Sequence, residues 1–193
     1  MDTTHRHDGS EPDLLAAMAT GDRDSFERFY HLYDKRVFQY VRTLVRDESI
    51  AEEVVGDVMI AVWRGADTFS RTARVSTWIF GIARHKAFDA LRRTSRHQHD
   101  TALDDAMELP HSHESPDDAM QREQVAAMTQ RAIGQLSVDH QEILRLVFYE
   151  ELPYEEIATL LSIPINTVKT RVYYAKQHLK QQLERLGQKE SIT

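Results

Sequence analysis

The chain has 193 residues, of which 41% are hydrophobic and 28% charged, with a formal net charge of −7. That length fits one domain or two small ones, with apolar content sufficient for a core. It contains no cysteine, which excludes a disulfide framework and a thiolate metal site and fits a reducing cytoplasm. No run approaches the ~18 consecutive apolar residues of a membrane-spanning helix. The opening Met1-Asp-Thr-Thr-His-Arg-His-Asp8 has no apolar stretch and is read as no signal peptide.

Glycine is scarce and strand-like alternation is absent, so the expected fold is all-α: two small helical domains joined by a flexible acidic linker. Residues 1–11 read as a disordered N-terminus. Pro12 suits the first position of a short helix carrying Leu14, Leu15 and Met18 and stopped at Gly21. Phe26, Phe29, Tyr30, Tyr33, Val37, Val41 and Leu44 recur at steps of three and four, the buried stripe of a second, long helix. A third opens at Ser49 with Glu52 three residues on, a capping box, and runs through Val54, Val58 and Val62 to Trp63. Residues 65–76 are too polar and aperiodic for a helix and read as a loop. Ser76 or Thr77 can cap a fourth helix with Ile79, Ile82, Ala83, Ala87, Ala90 and Leu91 inward. Residues 12–96 thus form one domain.

Residues 97–118, interrupted by Pro110 and Pro116, read as the linker. A second module spans 119–187, with helices near 119–135, 138–150, 154–161 and 165–186, and with Ser137 as an N-cap. Residues 188–193 are a tail. Charge follows this division. The stretch 100–118 carries seven carboxylates and no Lys or Arg, so the rest of the chain is formally neutral. Arg84, Lys86, Arg92, Arg93 and Arg96 cluster against Asp89 alone, and Lys169, Arg171, Lys176, Lys180 and Arg185 against Glu184 alone. Two basic patches flank an acidic tether, a distribution more informative than the total.

The strongest motif is Pro153-Tyr-Glu-Glu-Ile-Ala-Thr-Leu-Leu-Ser-Ile-Pro-Ile-Asn-Thr-Val-Lys-Thr-Arg-Val172. It reads as a short helix, a tight turn and a basic second helix, a helix-turn-helix that puts side chains into the DNA major groove. Ile157, Ala158 and Leu161 face inward from the first helix. Pro164 cannot continue that helix and can start the next. Val168, Val172, Ala175, Leu179 and Leu183 make the buried edge of the second. Asn166, Thr167, Thr170 and Arg171 carry donors and acceptors suited to base edges; Lys169, Lys176 and Lys180 suit phosphates, and Tyr173 and Tyr174 share the open edge.

In the first domain, the fourth helix mixes Trp78, Phe80 and Phe88 with Arg84, His85, Lys86, Arg92 and Arg93. Such a surface can stack unpaired bases and track a backbone; equally, Trp78 and Phe88 can be core residues beside an arginine fringe. On the third helix Glu52, Glu53, Gly56 and Asp57 form an acidic face. It is either solvated or docks a basic or amphipathic partner helix.

Three segments in order resemble the extracytoplasmic-function (ECF) sigma factors of bacterial RNA polymerase. Ala51-Glu-Glu-Val-Val-Gly-Asp-Val-Met-Ile-Ala-Val-Trp63 is similar to the helix that docks the polymerase clamp helices. Thr77 to Arg93 resembles the promoter-melting, minus-ten-reading helix. Leu152 to Arg171 resembles the minus-thirty-five-reading helix-turn-helix. The resemblance covers residues 12–186. It implies that Glu53, Val54, Gly56, Asp57 and Met59 contact the polymerase. Loop 65–76 would hold a flipped base, and Trp78, Arg84, His85, Lys86, Asp89, Arg92 and Arg93 would border melted DNA. Asn166, Thr167, Lys169, Thr170, Arg171, Tyr174 and Lys176 would read the upstream element. It also implies a cytoplasmic protein that catalyses nothing and needs no cofactor. Its partners would be promoter DNA, the core polymerase through its clamp helices and flap, and an anti-sigma factor. Gly56 and Asp57 stand where the family usually has Gln and Glu, and Ser162 at a turn position often held by Gly.

Two rival readings remain in view: an operator-binding regulator that needs no polymerase, and a metal protein using His97, His99, His111 and His113, with His5 and His7 near the start. Reach favours the first resemblance. A coil of 22 residues spans ~26 Å and at full stretch ~75 Å, against ~70 Å between DNA elements two helical turns apart. A scaffold would have to hold the two modules apart.

Overall fold

A computed structural model describes residues 10–97 and 118–190; the linker residues His99, His111 and His113, the N-terminal His5 and His7, and residues 191–193 lie outside the described residues. The described residues form eight α-helices and a short 3-10 turn, and the chain divides into two compact units at His99 and Asp100.

The first unit comprises α1 (Glu11–Ala19), α2 (Arg23–Leu44), α3 (Glu48–Gly65) and α4 (Val75–His97). Helix α2 is its axis. Its Asp22 cap accepts hydrogen bonds from the Asp24 N–H at 3.1 Å and the Ser25 hydroxyl at 2.6 Å. The Ser25 bond holds the Asp22 carboxyl below its usual range. Phe29, Tyr33, Val37, Val41 and Leu44 are buried along one stripe, as the periodicity predicts, and Tyr40 joins them, whereas Tyr30 is exposed and Phe26 half-buried. Phe29 stacks on Tyr33 at 4.6 Å, and Tyr40 meets Phe80 of α4 at 5.0 Å. The Tyr33 hydroxyl donates to Glu11 Oε2 at 2.9 Å, joining α1 to α2; burial, then the Glu11 charge, pushes its pKa up. Residue 11 therefore belongs to the fold rather than to a disordered leader. Arg42 is buried yet satisfied, donating to the carbonyls of Val45 and Arg46 where α2 ends.

Two predicted caps are corrected. Asp47, not Ser49, caps α3, its carboxylate accepting from the Ile50 N–H at 3.1 Å. Helix α4 opens at Val75, so Ser76 and Thr77 lie inside its first turn, and both are buried rather than capping. The predicted loop is also shorter than 65–76, since Gly65 ends α3 and Ala66–Thr68 form the 3-10 turn. Ile79, Phe80, Ala83, Ala87 and Ala90 face the core, with Ile82 and Leu91 half-buried.

The second unit comprises α5 (Asp118–Gly134), α6 (Val138–Phe148), α7 (Tyr154–Leu161) and α8 (Ile165–Glu190), so α8 runs through the segment predicted as the start of a tail. The Ser137 hydroxyl caps α6 by accepting from the His140 N–H at 3.4 Å. Pro153, which has no hydroxyl to offer, stands at the α7 N-cap. The α7–α8 turn is set by Ser162 in the left-handed region, φ 55° and ψ 44°. The Ile163 N–H then donates back to the Ala158 carbonyl at 3.0 Å, and Pro164 precedes the first turn of α8. Ile143, Leu146, Ile157, Leu161, Val168, Val172 and Ala175 form the core, and Leu179 is half-buried beyond it. Two buried carboxylates, Glu142 and Glu150, lie within this unit, with Arg145 3.5 Å from Glu150.

Helices α6 and α8 also meet through an imidazole pair, His140 Nδ1 and His178 Nδ1 being 3.3 Å apart. Burial, reinforced by His178 and Arg171 and opposed by Asp139, holds His140 below its ordinary value of 6.5. As pH falls, the unfolded chain therefore takes up a proton here before the folded one does. The stability due to the neutral ring is complete above the unfolded value and is lost below it, toward the depressed value. His140→Gln should flatten the fall in amide-exchange protection of α6 and α8 between about pH 7.5 and about pH 5.5; an equal fall in both proteins would contradict this. A β-carbon at φ 55° is strained, so Ser162→Gly should raise stability by about 0.5–1 kcal/mol in urea denaturation. A loss of stability would show that the Ser162 side chain contributes a compensating contact.

Candidate nucleic-acid interface

Packing decides which side of α8 is open. With Val168, Val172 and Ala175 buried, the positions between them point outward. Asn166, Thr167, Thr170, Arg171 and Tyr174 line one open groove of about 410 Å³. Their spacing of one, four, five and eight residues keeps them on one helical face for about two turns. Five of the predicted base- and backbone-contacting residues are thereby brought together. Asn166, Thr167 and Tyr174 are exposed; the Thr170 hydroxyl donates to the Asn166 carbonyl at 2.9 Å, leaving its methyl and lone pairs outward. Lys169 and Lys176 are also exposed. The Lys176 ammonium sits 4.9 Å over the Phe148 ring, and Tyr173 packs edge-on to Tyr174 at 5.4 Å. Arg171 differs from its neighbours. It is half-buried and its Nη2 lies 3.0 Å from Asp139 Oδ2 on α6. Sequence reasoning singled out neither Asp139 nor the exposed Phe148, because only the α6–α8 crossing brings them to this helix.

A second concavity, of about 540 Å³, is lined by Lys86, Asp89, Arg92 and Arg93 of α4 together with Asp57 of α3. Arg92 donates to Asp89, and Arg93 Nη2 lies 3.4 Å from Glu53 Oε1. Arg84 stacks its guanidinium 4.7 Å over the Phe88 ring, and Phe88 itself is exposed, so of the two alternatives for this residue the surface one holds. Trp78 is half-buried. It lies 5.5 Å from Phe69 and against the end of α3 near Gly65, two turns away along α4 from Lys86. His85 is exposed. The segment after the 3-10 turn is tied to α1: Arg71, at φ 57°, reaches the Pro12 carbonyl at 3.4 Å and Asp13 at 3.7 Å.

On α3, Glu52, Glu53, Gly56 and Ile60 are exposed and Asp57 is half-buried, which gives the acidic face predicted there an apolar end. Two residues expected on that face are corrected. Val54 is 0% and Met59 2% exposed, so both belong to the core and present no side chain to a partner. The helical period explains this: positions 54, 55, 58, 59 and 62 share the buried stripe, while 52, 53, 56 and 60 lie across from it. A Cβ on Gly56 would meet nothing within 4 Å, so no close packing demands a glycine there.

Among the described residues there is no group of three or more side chains that could hold a metal, and no helix long and apolar enough to cross a membrane.

Residues 29–97 match Sigma-70 region 2, and residues 126–179 match Sigma-70, region 4. The chain is similar to the ECF RNA polymerase sigma factor SigL of Mycobacterium tuberculosis strain Erdman, 31% identical over 163 residues, which is 81% of this chain and 89% of the relative. It is 28% identical over 180 residues to the RNA polymerase sigma-H factor of Pseudomonas aeruginosa, covering 90% of this chain and 93% of the relative. Among solved structures, the sigma factor RpoE in complex with the anti-sigma factor NepR from Bartonella quintana shares the fold. The TM-score is 0.67 at 22% identity, over 82% of this chain and 96% of that one. CnrH, solved in complex with the cytosolic domain of CnrY, gives a TM-score of 0.62 at 20% identity, over 91% and 97%. Region 2 falls on the bundle that carries the α3 and α4 surfaces and region 4 on the unit that presents the α8 groove, and the chain belongs to the ECF family of RNA polymerase sigma factors.

Proposed function

We propose that the two units divide the work of a sigma factor between them. The α8 groove reads the upstream, minus-thirty-five element through Asn166, Thr167, Thr170, Arg171 and Tyr174, with Lys169 and Lys176 on flanking phosphates. The basic edge of α4 (Arg84, His85, Lys86, Asp89, Arg92 and Arg93) borders the minus-ten element as it melts, with Trp78 beside loop 69–74 shaping the pocket for an unpaired base. The acidic face of α3 (Glu53, Gly56 and Asp57) docks the polymerase core. The observation that carries this reading is the α8 groove: five donor-, acceptor- and aromatic-bearing residues on one open face of the second helix of a helix-turn-helix.

The chain supplies recognition and the polymerase supplies the chemistry, so the chain itself is no enzyme and works in the cytoplasm beside its polymerase. Unpairing a base costs a few kcal/mol, which a fitted pocket offsets for the right base alone. An anti-sigma factor is the expected regulator, since RpoE of Bartonella quintana is seen bound to NepR and CnrH to the cytosolic domain of CnrY. The two modules bind promoter DNA together when the polymerase holds them at the spacing of the two elements.

The test is start-site selection by purified core polymerase reconstituted with the full chain on a promoter library. Selective initiation is expected, and its absence with any bacterial core enzyme would refute the reading, as would tight promoter binding by the isolated chain at physiological salt. Reversing Glu53 and Asp57 to lysine should weaken core association by about tenfold or more, through like-charge contact with a basic partner. The folded state should survive, because both side chains reach solvent. Val54→Asp, by contrast, buries a charge in the core and should unfold the first unit. Lys176→Ala should weaken all promoters alike and reduce the slope of log K against log salt by about 1.

A further inference from the structure

Arg171 does not stand free in its groove. Its side chain is 22% exposed and ion-paired at 3.0 Å to Asp139, whose own side chain is 63% exposed. Asp139 belongs to another helix, in the first turn of α6 after the Ser137 cap. The unpaired N–H groups and the dipole of that turn favour a carboxylate there whether or not Arg171 is present. Asp139 thus sets its charge on an element separate from α8, and the long Arg171 side chain is paired with it. The neighbouring His140 directs its ring to His178 instead, at 3.3 Å.

The contact engages one guanidinium nitrogen of Arg171. A guanidinium carries five N–H donors in a planar fork. With Nη2 facing Asp139 in an ion pair, the guanidinium keeps its donors for a bidentate pair with the O6 and N7 acceptors of a guanine. The carboxylate also disfavours a phosphate at the same place, which steers Arg171 toward a base edge rather than the backbone.

We propose that Asp139 is the positioning residue that sets the base preference of Arg171, and hence a determinant of promoter specificity that makes no base contact of its own. The inference rests on the reading of the α8 groove as the surface that reads the upstream element. It assigns to α6, the helix outside the helix-turn-helix, a part in sequence discrimination.

The experiment uses holoenzyme reconstituted from core polymerase and the full chain, on promoters randomised across the upstream element. Four proteins are compared: wild type, Asp139→Ala, Asp139→Asn and Arg171→Ala. Arg171→Ala should cut the preference at one base pair by about fivefold or more. Asp139→Ala should lose preference at that same base pair to a comparable degree. Its promoter affinity should also fall more steeply with salt, because the released guanidinium is free to meet a phosphate. Asp139→Asn keeps the shape but removes the charge of the ion pair, and should lose about as much discrimination as Asp139→Ala. Because Asp139 is solvent-facing but favoured in the first turn of α6, thermal melts of its variants should fall no more than a few degrees below wild type. If Arg171→Ala relaxes the preference and Asp139→Ala does not, the positioning role is overturned and the reading of the groove stands. If Arg171→Ala leaves the preference intact, Arg171 is no base reader and both fall. If Asp139→Asn keeps the wild-type preference, the ion pair is not what holds Arg171 and positioning is again overturned.

Discussion

The burial of Val168, Val172 and Ala175 in the second unit fixes everything the chain can do through α8. Once that stripe is committed, Asn166, Thr167, Thr170, Arg171 and Tyr174 have no direction left but outward. The commitment depends in turn on the angle at which α7 delivers the chain, and that angle is set at Ser162. A left-handed residue followed by Pro164 ends one helix and begins the next within three residues. A serine there accepts strain that a glycine would avoid. The turn is therefore held by the core on either side of it, Ile157 and Leu161 before and Val168 after, rather than by local preference alone.

The first unit obeys the same constraint with a different result. Helix α2 buries one stripe along its length, and α3 and α4 each surrender one stripe to it and present the other. On α3 the outward stripe is acidic and on α4 it is basic, and the two meet where Arg93 approaches Glu53 and where Asp57 joins Lys86, Asp89, Arg92 and Arg93 around one concavity. Exposed pairs of this kind contribute at most about 1 kcal/mol. They are cheap to exchange, so a DNA phosphate can replace Glu53 beside Arg93, or a partner's cation can replace Arg93 beside Glu53, at little cost to the fold.

Much of this was legible in the sequence, because helical periodicity is dictated by burial and burial by residue type. The stripe from Phe29 to Leu44, the edges of α7 and the face of α8 follow from the spacing of apolar residues alone. What failed was local or tertiary. Asp47 and Ser49 are both competent caps, and the spacing of apolar residues does not choose between them. Ser76 and Thr77 look like caps but are drawn into the core side of α4. Val54 and Met59 came with a family likeness that transfers a whole segment, whereas only half of a helix can face a partner. Asp139 carried no signal, since its relation to Arg171 spans 32 positions and exists only because α6 crosses α8.

That last case bears on how a small regulator with one recognition helix achieves discrimination. A side chain reads a base only as well as its own rotamers are limited, and arginine has many to limit. None of the residues three or four positions from Arg171 on α8 (Thr167, Val168, Tyr174 and Ala175) carries a carboxylate that could restrain it. Restraint has to come from another element. In this unit it comes from the capped first turn of α6, whose dipole stabilises the Asp139 carboxylate that faces Arg171. Specificity is then a property of the α6–α8 crossing as much as of the residues in the groove. Two chains with identical recognition helices need not prefer the same promoter if the helix corresponding to α6 places a different side chain at position 139.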